Sequence, residues 1–184
     1  MKNKLNSKIN KLVNIIGFQS CWWACVLGSS FNWAYLGPFM MLIFLIIHFY
    51  INSFSANELK IIIIVGFIGT MIDTSFQVTG IIEYKDSLSN FLPPLWIISM
   101  WVGFAATINH SMDWLKNNNL VGFIAGLVFG PLSYITGEKF SVINFNYSAV
   151  NPIMVLAIAW AITIPILYFI NEKILIMENH ETKI

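Results

Sequence analysis

Six apolar stretches, each close to the length of a bilayer crossing, follow one another along this chain with short polar connections between them. They cover residues 12–30, 36–54, 61–80, 93–112, 120–136 and 150–170. A crossing helix needs roughly 20 mostly apolar residues, because the hydrocarbon core is about 30 Å thick. The pattern predicts an all-α integral membrane bundle of six transmembrane helices, forming a single domain over residues 1–184. Composition agrees. Charged residues make up only 10% of the chain, whereas a soluble domain carries about 25%. The net charge of +1 offers no clustered basic patch, so nucleic acid is not an expected partner. All 10 fixed cations are lysines. Without arginine there is no bidentate clamp for phosphate or carboxylate.

Lysine placement predicts the orientation. With the N-terminus in the cytoplasm, Lys2, Lys4, Lys8, Lys11, Lys60, Lys116, Lys173 and Lys183 lie inside, and only Lys85 and Lys139 lie outside. The positive-inside rule favours that split. The chain is then expected to be a multi-pass protein of the bacterial inner membrane with both termini cytoplasmic. The first stretch follows a lysine-rich start, but it carries Gln19, Trp22 and Trp23 and lacks an A-x-A site. It reads as a retained anchor. The charged tail Asn171 to Ile184 is expected to fray.

Gly122, Gly126 and Gly130 form a G-x-x-x-G-x-x-x-G row in the fifth stretch. In lipid, packing energy comes from close backbone approach, so this row predicts tight contact with another helix or a second copy of the chain. Cys21 and Cys25 stand one helical turn apart. They read as small packing residues, because that spacing does not favour a disulfide. Pro131 and Pro165 lie inside helices and predict kinks.

Asp73 is the sharpest polar residue, since a carboxyl well inside a crossing costs several kcal/mol unless it has partners. Gly66, Gly69, Thr70, Asp73, Gln77 and Gly80 share one helical face, which suits a bundle interior better than lipid. Glu138 closes the fifth helix near the same depth, one turn after Tyr134. Asp73, Gln77, Tyr134 and Glu138 are therefore a candidate polar pocket toward the outer side. His48, Asn109 and His110 form a candidate polar group toward the inner side. A histidine titrates near neutral pH, which suits proton relay. No third ligand is evident beside the two histidines, so no metal site is expected. No cofactor is expected either, because P-loop, dinucleotide, nucleophile-elbow and H-E-x-x-H motifs are all missing.

Four segments are distinctive: "FQSCWWACVLG" from Phe18, "LGPFM" from Leu36, "PPLWIISMWVGFAATINHSM" from Pro93 and "GPLSYITGEKF" from Gly130. With these the chain resembles, over nearly its whole length, a family of small multi-pass bacterial inner-membrane proteins catalogued as a domain of unknown function. The resemblance carries onto Gln19, Trp96, Trp101, Asn109, His110, Tyr134, Gly137 and Glu138, and departs from the pattern at Asp113. It implies no activity. The leading expectation is a protein that binds or handles a lipid or small solute in the outer polar pocket, with membrane lipids as partners. Three alternatives stand beside it: a proton-coupled small-solute transporter, a membrane enzyme of lipid modification, and an assembly or accessory protein that docks through the glycine row onto itself or another membrane protein. The balance leans away from an enzyme.

Overall fold

The computed structural model describes the backbone of residues 2–147 and 151–181, and the side chains of residues 8–147 and 151–176. Helix α1 runs Lys2–Ser30, α2 Leu36–Asn52, α3 Ala56–Val78, α4 Leu95–Ala105, α5 Asn119–Lys139 and α6 Pro152–Glu181. Two short strands, β1 (Ile82–Tyr84) and β2 (Ile143–Phe145), pair antiparallel. The expected start of the sixth stretch at Val150, and Lys183, lie outside the described residues.

Four helices contain a segment long and apolar enough to cross a membrane: Lys8–Ser30, Ala56–Val78, Asn119–Lys139 and Pro152–Ile176. Helices α2 and α4 are apolar but shorter. Large apolar side chains stand on the outside, among them Ile46, Phe67, Phe129 and Ile158. Such a surface is stable against hydrocarbon and costly against water. These features make this a membrane protein.

The helices form two tight pairs, α1 with α2 and α5 with α6. Helix α4 packs on α1, α2 and α3, and α3 reaches α6. The glycine row meets α6 of the same chain. A methyl group on Gly126 would overlap the Trp160 backbone, and one on Gly130 would overlap the Trp160 ring. Likewise Gly37 lets α2 press onto the backbone of Cys25, and Gly69 leaves room for the Trp101 indole. Both cysteines are free and buried, as packing residues should be.

Three local features depart from the sequence expectation. The fourth helix stops at Ala105 rather than continuing to residue 112. Residues 106–112 form successive turns instead, closed by local bonds such as Met112 N–H to the Thr107 carbonyl and held by α1 and α6. Asn14 donates to the Ala106 carbonyl at 3.0 Å and accepts from the Ser111 N–H at 3.3 Å. The Tyr168 hydroxyl donates to the Met112 carbonyl at 2.7 Å. Secondly, the tail does not fray at Asn171. Asn171 and Asn109 exchange paired amide hydrogen bonds of 2.7 and 3.0 Å, Ile174 is buried, and α6 continues to Glu181. Thirdly, the connection after α3 carries a strand. Gly80, at φ +68, takes the left-handed position that ends α3. The Ile81 N–H bonds the Phe76 carbonyl and the Gly80 N–H bonds the Gln77 carbonyl, a Schellman turn that feeds the chain directly into β1.

The α5–α6 seam gives a direct test. Gly126→Ala would press a methyl group on backbone atoms, which cannot rotate away. It is expected to destabilise the protein by about 1–3 kcal/mol, the usual range for overpacking. Thermal unfolding in detergent should show a lower midpoint, whereas Gly122→Ala, which meets only the end of the Ile164 side chain at 3.3 Å, should cost less.

Candidate functional site

Asp73 is fully buried. Its Oδ1 accepts from the Tyr84 hydroxyl at 2.5 Å and the Tyr134 hydroxyl at 2.7 Å, and its Oδ2 accepts from the Trp101 indole N–H at 2.5 Å. Three donors and no cation converge on it, which matches the acceptor-only character of a carboxylate. The donors come from β1, α5 and α4, so one side chain of α3 ties four elements together. Tyr84 reaches it because β1 alternates: Ile82 and Tyr84 point inward and Glu83 outward. Burial, and then the nearby carboxyl of Asp73, push the Tyr84 phenol well above its ordinary value of 10.0.

Of the sequence-predicted pocket residues, the structure joins Asp73 and Tyr134. Gln77 turns away and donates to the Ser89 carbonyl at 2.7 Å. Glu138 sits half-buried in the last turn of α5 and is not among the partners of Asp73.

A cavity of about 540 Å³ lies on the other side of Trp101 and Tyr134. Helices α1, α4, α5 and α6 line it, together with the turns after α4. Its wall is rich in aromatic rings, including Trp22, Trp96, Phe104 and Trp160, and among the described residues no charged one lines it. Trp101 and Trp160 stack with centroids 4.6 Å apart and planes 9° from parallel. Lining residues Ile15, Trp23, Phe129 and Leu132 are also exposed on the outer surface. The opening is therefore an apolar gap between α1 and α5, two helices with no extended contact. The Trp160 indole N–H is buried beside Tyr134.

A third cluster lies at the opposite end of α3 from Asp73. Glu58 Oε1 stands 2.8 Å from His48 Nε2 and 2.5 Å from His110 Nε2. The two imidazole centroids are 4.6 Å apart. Asn109, expected beside them, instead pairs with Asn171. Sequence reasoning missed Glu58 because it precedes the apolar stretch of residues 61–80, although Ser55-x-x-Glu58 matches an N-terminal capping box. The Ser55 half of that box is present, with its hydroxyl accepting from the Glu58 N–H. The Glu58 carboxyl instead turns to the histidines. The spacing of the chain gave no signal for this, because the unwound segment brings in His110.

The surroundings select a tautomer for His48. Asn14 cannot flip: its oxygen faces the Ser111 N–H and its nitrogen faces the Ala106 carbonyl. The Asn52 nitrogen is likewise fixed by the His48 carbonyl at 2.9 Å. Both amide nitrogens lie 3.3 Å from His48 Nδ1. Nδ1 must therefore accept, and the proton of neutral His48 sits on Nε2 and points to Glu58. His48, Glu58 and His110 are also the one group of metal-capable side chains whose ligand atoms converge among the described residues. Ligation through His48 Nε2 would cost these amide bonds, about 1 kcal/mol each. Structural zinc binding releases on the order of 10 kcal/mol or more, so a metal can overcome that preference.

The fold and these buried polar sites define a small polytopic membrane protein with an internal cavity. The chain belongs to the protein family of unknown function DUF2878, whose model matches residues 11–166. No curated protein and no solved structure matches it.

Two outcomes follow for the Asp73 hub. Asp73→Asn keeps an oxygen for the two tyrosines but turns an N–H toward the Trp101 N–H. An unsatisfied buried donor costs about 1–3 kcal/mol, read as a lower unfolding midpoint. Tyr84→Phe should cost about 1–2 kcal/mol at neutral pH. The raised phenol stabilises the fold below pH 10.0, and that contribution is lost as pH rises toward the folded value. The deficit of Tyr84→Phe should therefore narrow above that pH.

Proposed function

We propose that this protein spans the bacterial inner membrane and holds the apolar chain of a lipid or fatty acid in the cavity between α1 and α5. The carrying observation is the cavity itself: about 540 Å³, aromatic, without a charged residue among the described ones that line it, and rimmed by exposed apolar side chains. Ligand pockets usually fall between about 300 and 1,000 Å³. An acyl chain enters such a gap from the bilayer without passing through water. In this reading Asp73 does not touch the ligand. It fixes Trp101 and Tyr134, which do.

The proposed topology has six crossings with both termini cytoplasmic. Lysine placement supports it. The 17 residues of α2 reach the lower limit for a crossing, and the turns after α4 extend its path. The His48–Glu58–His110 cluster then faces the cytoplasmic side.

Photolabelling in lipid nanodiscs tests the reading. A diazirine-bearing fatty acid should label residues such as Met100 and Trp22, and an unlabelled fatty acid should compete. Ala125→Phe, which fills the cavity, should reduce that labelling severalfold and leave labelling of Phe39 or Ile46 unchanged. Labelling confined to the outer surface, with no competition, would contradict the proposal.

A further inference from the structure

We infer that His48, Glu58 and His110 form a binding site for a divalent first-row transition metal, with Zn²⁺ and Fe²⁺ as the best-matched ions. This goes beyond the lipid reading and does not depend on it. The ligand atoms are His48 Nε2, His110 Nε2 and Glu58 Oε1.

Four features carry the assignment. First, the three donors come from separate segments, α2, the start of α3 and the turns after α4. Both imidazole nitrogens approach the same carboxyl oxygen. The three ligand atoms lie within 4.8 Å of one another, close enough to surround one ion. Secondly, two histidines and one carboxylate are the ligand set of catalytic zinc and of non-haem iron, both of which keep open positions. The side chains of Glu58 and His110 are 13% and 19% exposed, which leaves room for such a position, whereas that of His48 is 1% exposed. Thirdly, Glu58 has no lysine partner among the described residues: its ion-pair contacts are the two imidazoles. A dication balances this carboxylate. Fourthly, α4 breaks where His110 is needed. Asn14 holds the unwound backbone at Ala106 and Ser111 and also touches His48. It thereby positions His110.

The separations of 2.5 and 2.8 Å are those of hydrogen bonds. Around a tetrahedral ion with bonds near 2.0–2.1 Å, ligand atoms sit about 3.3 Å apart. The site therefore opens slightly on loading. The proton of His48 moves from Nε2 to Nδ1, and the bonds from the Asn14 and Asn52 amides to Nδ1 are given up. This gives the site a signature that no proton-only network shares.

The test uses the full chain in nanodiscs, purified with a histidine-free tag and carrying His180→Gln. Only His48 and His110 then remain of the three histidines. Apo protein is titrated separately with Zn²⁺ and Fe²⁺, the latter without oxygen, and retained metal is counted after gel filtration. About one ion per chain is expected, with Glu58→Gln or His110→Gln weakening binding more than about 100-fold. Asn14→Ala should weaken it about 10-fold, as for residues behind a ligand. Nitrogen NMR of the wild-type ligand set should show His48 as the Nε2–H tautomer without metal and as Nδ1–H with Zn²⁺. The inference is overturned if no ion is retained, if Glu58→Gln binds as tightly as its parent, or if His48 keeps its Nε2 proton at saturating Zn²⁺. The last result identifies a hydrogen-bonded proton site instead. Because the tautomer is read on unsubstituted ligands, misfolding of a variant does not blur the outcome.

Discussion

Three hydrogen bonds to one carboxyl organise this bundle. Asp73 lies where water is not available, so its oxygens must be satisfied by the protein. Tyr84, Trp101 and Tyr134 do so at 2.5–2.7 Å. Each donor belongs to a different element, and each element is otherwise held mainly by apolar contacts without strong direction. Packing in lipid has no hydrophobic drive between helices. Directional bonds to a single atom pair therefore set the register of α3, α4, α5 and the strand pair together.

That arrangement links structure to use. Trp101 and Tyr134 have two faces, one bonded to Asp73 and one bounding the cavity. The glycine row serves the same wall from behind, because Gly126 and Gly130 let α5 close on Trp160, whose ring stacks on Trp101. At the far end Asn14 plays a comparable part with neutral groups. It bonds the Ala106 carbonyl and the Ser111 N–H of the unwound segment and so helps present His110 to Glu58. Two buried polar centres, one at each end of α3, thus bracket the cavity region.

How much of this was legible depended on range. The apolar helices were read from local composition, because each crossing carries its own signal. Asp73 stood out because a lone acid in such a segment is expensive. Its partner Tyr134 lay in a distinctive motif. Tyr84 and Trp101 were not read as partners of Asp73: a three-residue strand is too short to stand out, and Trp101 was singled out only as a motif residue, with no sign of what it touches. The early end of α4 was hidden because the residue that permits it, Asn14, lies 92 positions from the Ala106 carbonyl it bonds. Glu58 gave no signal because it stands in the polar connection before residues 61–80. The cavity gave no signal, since its aromatic lining looks like any packed interior.

The most direct measurement is hydrogen exchange of the Trp101 indole N–H in lipid nanodiscs, followed by nitrogen NMR. The chain has seven tryptophans, and Trp33 is 69% exposed. If Asp73 is the sealed hub described above, the Trp101 signal should shift downfield from the others and exchange only through global unfolding, orders of magnitude more slowly than Trp33. Exchange of Trp101 as fast as that of Trp33 would mean that water reaches the carboxyl, and the hub would not exist.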